Sequence, residues 1–246
     1  PHHGSSTAGI VGSVRGPGEL SLAHRGLLFL DELPEFDRRS LEALRQPLEG
    51  GVVILSMARG RVALPARFQL VAAMNPCPCG FDGDPDRPCG CHPSDRRRYR
   101  GRLSGPLLDR FEVRVTMGRR DGADDGRVAD ADAPRSARVG AEPSAAVATR
   151  VARARAIALR RQRVPNAALA GPALASLALD ADARDLLAAA RQRTAIGERG
   201  VDQVVRVART IADLAGAEAV MGDHLVEALA FRARPWHDDD HGERAW

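Results

Sequence analysis

Four apolar residues, Leu27 to Leu30, run directly into two adjacent acids, Asp31 and Glu32, within the stretch GLLFLDELPEF. Such a run reads as a β-strand buried on both faces, which commits the chain to a layered α/β domain built around it. Side chains at the carboxyl end of such a strand face the crevice where ligands bind. An acid placed there can hold Mg²⁺, directly or through water, and a second acid beside it can polarise a water for attack on a terminal phosphate. The plain alternative is a strand that happens to end in two acids and a turn, and the context around it has to decide.

The rest of the chain divides by pattern. Strand-like runs recur at Val52–Leu55, Gln69–Ala73 and Phe111–Val115, and a helix-like stretch lies between the first two strands, with Pro34 near its start and Leu41, Leu44 and Leu48 along one side. Strands alternating with helices predict an α/β domain with a largely parallel sheet over residues 1–117. Residues 118–146 have almost no large apolar side chains and read as a disordered linker. Residues 147–233 read as all-α. Val147, Val151, Ala154 and Ala158 share one face, two helices part near Asp180, and Val201, Val204, Val205, Ala208, Ile211, Ala212 and Ala215 form an amphipathic stripe. Asp223 is the predicted N-cap of a last helix, and 234–246 reads as a solvated tail. With 44% hydrophobic residues, wholesale disorder is excluded. No apolar run approaches the roughly 18 residues of a membrane span, and no secretory signal is visible, so no membrane partner is expected.

Several residues carry candidate chemistry. FQLVAAMNPCPCG is a strand that ends in Asn75, whose amide can bond a γ-phosphate or the attacking water if this strand neighbours the acid-bearing one. RLSGPLLDRFEV places Arg110 after a short helical turn, where a guanidinium can stabilise charge on a transferring phosphoryl group. A capping Asn and a surface Arg are the alternatives. The four cysteines are clustered as Cys77-Pro-Cys79 and Cys89-Gly-Cys91, with His92 next in line. Two close thiolate pairs suit a structural Zn²⁺, with His92 able to replace one cysteine, although C-x-C is tighter than the usual C-x₂-C. Free or redox-active thiols are the alternative. Clustering of this kind, unlike a spread disulfide framework, points to a reducing, cytoplasmic setting. GGVVILSMARGRVALPARF reads as a hairpin with Gly60 at the turn and Arg59 and Arg61 at the tip, and TAGIVGSVRGPGELS sets Arg15 among glycines. Arginines at loop tips can contact nucleic-acid phosphates without reading sequence. The chain contains no lysine, so all 36 basic residues are Arg; the net charge of +4 and pI of about 9.4 are compatible with an acidic partner.

In order along the chain, GELSLAHRGLLFLDELPEF, RFQLVAAMNPCPCG, RLSGPLLDRFEV and VVRVARTIADLAG resemble the magnesium-chelatase-like AAA+ ATPases, in particular their ComM/YifB branch. The resemblance runs over nearly all of residues 1–233 and is weakest in 118–146. It implies a partial AAA+ P-loop-type core, with the Walker A part missing, followed by an all-α lid domain. It implies Asp31 and Glu32 as Walker B, Asn75 as sensor 1, Arg110 as a finger given to a neighbouring subunit, and Arg199 in GERGVDQ as sensor 2. The family usually has Ser-Ala-Arg where this chain has Gly-Glu-Arg, which leaves Arg206 and Arg209 as alternatives. The segments carrying Arg15 and Arg59/Arg61 resemble the family's two pore-facing insertions. ATP and Mg²⁺ are the implied cofactors, and the implied partners are further copies of the chain in a ring, a hexamer, and single-stranded or branched DNA.

No G-x-x-x-x-G-K-[ST] occurs, and none is possible without lysine. In the resembled family this loop lies upstream of the PHH with which the sequence begins. The expectation is therefore a truncated piece of a DNA-translocating motor that does not hydrolyse ATP alone. The other expectations are a chelatase-like remodeller of a protein partner and an inactive fragment.

Overall fold

The computed structural model describes residues 1–57, 60–117, 142–193 and 196–232, which fall into two compact units divided between Phe111 and Glu112. The fold is mixed helix and sheet in the first unit and helical in the second.

The first unit opens with α1 (Thr7–Val11), whose start is capped by the Ser6 side chain accepting from the Gly9 N–H at 3.1 Å. A tight hairpin of β1 (Gly12–Ser13) and β2 (Gly16–Pro17) follows, then α2 (Glu19–Leu22). Gly18 makes this compact turn possible: a Cβ there would stand 2.3 Å from the Gly12 nitrogen and 2.4 Å from the Ile10 oxygen. β3 (Leu27–Leu30) comes next, and a 3₁₀ turn at Leu33–Glu35 leads to α3 (Arg38–Ala43), capped by Asp37. Pro47 lacks the N–H that the Ala43 carbonyl would need, and α3 gives way at Leu44 to α4 (Arg45–Gly50). Leu41 and Leu44 are buried, as their spacing predicts. β4 (Val52–Met57) and β5 (Gly60–Pro65) form an antiparallel hairpin, β6 (Gln69–Ala72) pairs with β3, and α5 (Pro93–Arg100) and α6 (Gly105–Leu108) close the unit.

Two expectations are corrected here. The described residues hold three two-stranded sheets, and only β3–β6 is parallel, so the largely parallel sheet is not what forms. β3 is also not buried on both faces. Leu28 and Leu30 point into the core, whereas Leu27 and Phe29 are 59% and 47% exposed. A hydrophobic run alone does not separate these cases, because every residue of it is apolar whichever face is covered.

The second unit comprises α7 (Ser144–Gln162), a 3₁₀ turn at Asn166–Ala168, α8 (Gly171–Ala175), α9 (Ala181–Arg193), α10 (Glu198–Ala215) and α11 (Gly222–Ala230). The linker expected over 118–146 lies outside the described residues as far as 141, and so does the tail. Phe111–Val115, read as a strand, forms none; instead the Arg114 N–H bonds the Phe231 carbonyl at the end of α11. α10 is the central element, and Val201, Val204, Val205, Ala208 and Ala212 of the predicted stripe are buried along it. Val204, Ala208 and Ala212 cluster with Val220, Leu225 and Ala228. Asp180 caps α9 by accepting from the Ala183 N–H at 2.7 Å. The expected cap at Asp223 falls inside the first turn: Met221 is the N-cap residue of α11.

A buried ionic knot pins α7 to α10. Arg161 grips Asp213 with both nitrogens at 2.6 and 2.9 Å, Arg209 adds a bond at 2.9 Å, and Asn166 another at 2.8 Å. Burial alone would push the Asp213 carboxyl up; the bonds from Arg161 and Asn166 and the Arg209 charge outweigh it and hold the carboxyl below the usual range. The folded pKa therefore lies below the unfolded value of about 3.9. Its stabilisation is complete above that value and is lost as pH falls through the folded pKa. Asp213→Ala, which strands the buried Arg209 charge, should cost about 3–5 kcal/mol at neutral pH. Thermal unfolding at pH 7 should show the loss, and the gap from the unsubstituted chain should narrow below about pH 4; equal stability at pH 7 would contradict the knot's importance.

Candidate functional site

β3 and β6 run side by side in the same direction, with Leu30 opposite Ala72. The pairing extends one step past the strands, where the Leu33 N–H donates to the Ala73 carbonyl at 2.9 Å. Asp31 and Glu32 therefore leave the sheet at the same end as Asn75. Asp31 turns its Oδ1 back onto the Glu32 N–H at 2.9 Å. Glu32 itself sits in the left-handed region, with φ 52° and ψ 46°, an arrangement that costs about 1 kcal/mol or more for a residue with a Cβ. The turn that follows holds it there. Pro34 is buried, and Arg102 donates to the Pro34 carbonyl at 3.0 Å and to the Glu35 carboxylate at 2.7 Å.

The Glu32 carboxylate meets His3 Nδ1 at 2.9 Å, and the His3 ring stands edge-on to Phe36. Sequence reasoning does not single out His3. The contact joins residues far apart in the chain, and nothing in the local pattern of a histidine pair signals it.

Asn75 is exposed; burial raises the pKa of the Tyr99 hydroxyl, and the Asn75 backbone amide works in the opposite direction. Arg110 follows α6, and its guanidinium bonds the Pro106 carbonyl and the Glu49 carboxylate of α4. The structure thus groups Asp31, Glu32 and Asn75, and holds Arg110 through other partners. Arg15 lies exposed in the two-residue loop of the β1–β2 hairpin. Arg61 is exposed near the start of β5, opposite Ser56; Arg59 lies outside the described residues. Arg199, Arg206 and Arg209 all belong to the second unit. Arg199 is exposed at the start of α10. Arg206 donates to the Leu169 carbonyl at 3.0 Å and faces Glu112 at 3.4 Å. Arg209 is buried in the ionic knot, with further bonds to the carbonyls of Ala217 and Glu218, so it is a structural residue.

The four cysteines converge. Cys77 Sγ lies 3.4 Å from Cys79 Sγ, and Cys89 Sγ lies 3.6 Å from each of them. All four sulfurs fall within 4.8 Å of one another. Four sulfurs about 2.3 Å from one tetrahedral ion stand about 3.8 Å apart, so the cluster fits a single metal ion. A disulfide would need about 2.05 Å, and the cysteines are free. Backbone amides support the sulfurs: the Phe81 N–H on Cys79 is the main cause that lowers this thiol to about 6. Burial, with the neighbouring sulfurs, pushes Cys91 up to about 12. Thiolates this close repel, so ionising all of them together requires a cation among them. His92 is not a member of the cluster; its ring caps α5, accepting from the Ser94 N–H.

Asp82, between the two cysteine pairs, binds Arg96 at 2.6 Å and also Arg100, both on α5. Arg96 in turn faces the Cys89 sulfur.

Two family models match the chain. The model for magnesium chelatase, subunit ChlI, covers residues 1–124, and the model for the ChlI C-terminal region covers residues 141–232. The uncharacterised protein YifB of Escherichia coli (strain K12) is 41% identical over 95% of this chain and 44% of its own length. An uncharacterised protein of Mycobacterium tuberculosis (strain H37Rv) is 45% identical over 94% of the chain and 45% of its own length. The competence protein ComM of Haemophilus influenzae is 40% identical over 95% of the chain and 44% of its own length. The chain thus spans less than half the length of these relatives. Among the described residues, no helix is long and apolar enough to cross a membrane.

The sulfur geometry carries its own expectation. Protein purified without a metal-affinity tag should contain about one divalent metal ion per chain, released together with its masking of the thiols. Elemental analysis beside thiol titration checks this. A metal content near zero with four freely titrating thiols would contradict it.

Proposed function

The chain belongs to the magnesium-chelatase-like family of the ComM/YifB kind, and from that premise we propose that it forms part of an ATP-driven ring motor acting on DNA. The observation that carries this reading is the parallel β3–β6 pair, which delivers an Asp-Glu dipeptide and an Asn to one strand end. This arrangement supports the reading of the first unit as part of a P-loop-type ATPase core. In this reading Asp31 holds Mg²⁺, Glu32 aims the attacking water and Asn75 contacts the γ-phosphate. Arg110 completes the nucleotide site of the neighbouring subunit, and Arg199 in the lid senses the nucleotide. His3, bonded to Glu32, fixes the orientation of that carboxylate. The four cysteines hold a structural Zn²⁺, in keeping with a reducing cytoplasm.

Copies of the chain assemble into a ring, a hexamer, around single-stranded or branched DNA. Arg15 and Arg61, exposed on two hairpins, contact the DNA backbone, and Arg59 does so with them. Branch migration during recombination or natural transformation is the activity proposed; the competence name of the Haemophilus relative supports that setting. A second reading is remodelling of a protein partner, and the description of both matching family models as chelatase subunits favours it.

ATP hydrolysis by the complete protein separates the two. On the DNA reading, turnover rises with single-stranded or forked DNA. Replacing Arg59 and Arg61 by Ala weakens DNA binding and lowers the slope of log affinity against log salt by about 0.7–0.9 for each phosphate that is no longer neutralised. Hydrolysis without DNA stays near normal in that variant. Turnover that ignores DNA and responds only to a protein partner would favour the second reading.

A further inference from the structure

The cysteine cluster is not an isolated staple. Cys77 and Cys79 lie on the chain leaving β6, and Cys89 and Cys91 on the approach to α5. One ion among the four sulfurs therefore ties the exit of that strand to the start of that helix. Asn75 sits at the root of the loop so closed, between the turn of the first cysteine pair and the end of α5. A Cβ placed on Gly80, in the turn of the first cysteine pair, would stand 4.0 Å from Asn75 Cγ, so the turn lies against the side-chain amide. Gly80 adopts φ +81° and closes that turn by bonding the Cys77 carbonyl at 3.0 Å. The hydroxyl of Tyr99, which is buried near the end of α5, senses the Asn75 backbone amide. From the next position on α5, Arg100 Nε donates to the Pro76 carbonyl at 3.2 Å.

Between the cysteine pairs the sequence GFDGDPDRP offers one large apolar side chain, Phe81, which is half-buried with the Arg87 guanidinium over its ring. Asp82, paired with Arg96 and Arg100, is the main polar fastener. Asp31 and Glu32, by contrast, follow a strand fixed by its main-chain ladder and by buried Leu28 and Leu30.

We propose that the ion bound by Cys77, Cys79, Cys89 and Cys91 is the positioning device for Asn75, so that metal loss frees Asn75 while leaving Asp31 and Glu32 in place. This rests on the readings of the cysteines as a zinc site and of Asn75 as the residue that contacts the γ-phosphate. It adds a metal-dependent control of that contact. The ion takes no part in hydrolysis.

Tyr99 is the only tyrosine in the chain, and its hydroxyl senses the Asn75 backbone amide, which makes it a built-in probe. The chain labelled with 3-fluorotyrosine should give a narrow ¹⁹F signal, displaced from that of the free amino acid, when about one zinc is bound per chain. Removing zinc with a chelator should move or broaden the signal, and returning zinc should restore it. Cys91→His, which keeps a ligand, should retain the zinc-bound signal; Cys91→Ser should not. Far-UV circular dichroism should remain close to native throughout. In the complete protein, Cys91→Ser should lower ATP turnover on the order of 100-fold, as misplacement of an aligning group by about 1 Å does, with nucleotide affinity nearly kept. Asn75→Ala should lose the same step.

Zinc that binds without moving the Tyr99 signal would overturn the positioning role and leave the zinc site standing. No bound zinc would overturn both. Hydrolysis unaffected by Asn75→Ala, with a zinc-dependent Tyr99 signal, would overturn control of the γ-phosphate contact through the reading of Asn75, not through the metal.

Discussion

The parallel ladder between β3 and β6 is the constraint on which the candidate site depends. Parallel neighbours end together, so whatever follows one strand is presented beside whatever follows the other. With Leu30 set opposite Ala72, the acids and the amide emerge from one end of the pair. The alternation of the pleat sends Leu28 and Leu30 into the core, and a slip of one residue would exchange them for Leu27 and Phe29. The burial that fixes the register thus also fixes the site. The left-handed conformation of Glu32 follows from the same geometry. The chain must leave the strand and enter a 3₁₀ turn at Leu33, and a buried proline and an arginine clamp hold that turn.

Around this pair the molecule uses two kinds of fastening. The second unit is held by an apolar stripe on α10 and an ionic knot in which both carboxylate oxygens of Asp213 are matched by donors from Arg161, Asn166 and Arg209. Buried charges are tolerated there because Arg161 grips the carboxylate bidentately and each of its oxygens accepts two bonds. The loop after β6 has neither an apolar stripe nor such a knot. Its organisation comes from converging sulfurs and from the Asp82 pairs with α5. On the positioning proposal, a loop held in this way is released without unfolding the sheet.

Much of the fold is legible in the sequence where periodicity and burial coincide. The stripe from Val201 to Ala212, the break at Asp180, the β4–β5 hairpin and the cysteine cluster are all where spacing places them. Sequence reasoning fails where the deciding interaction is distant along the chain. Phe111–Val115 looks like a strand, but Arg114 bonds the carbonyl of Phe231. Arg209 looks available on α10, yet it is buried against Asp213 one turn along the same helix, and the Arg161 grip that completes the knot comes from 52 residues away on α7. The His3–Glu32 contact has no local signature at all. His92 adjoins the cysteines in sequence, but it lies outside the group of converging sulfurs and its Nδ1 caps α5.

The central claim is that one nucleotide site is made by two chains, with Glu32 supplied by the protomer that binds the nucleotide and Arg110 by its neighbour. Mixing variants of the complete protein tests it most directly. Glu32→Gln and Arg110→Ala rings should each be nearly inactive, since an arginine finger is worth about 10³–10⁵ in rate. After subunit exchange, verified with labelled protomers, some interfaces pair an intact Glu32 with an intact Arg110, and ATP turnover should rise above the sum of the separate preparations. Exchange without recovery would contradict the claim.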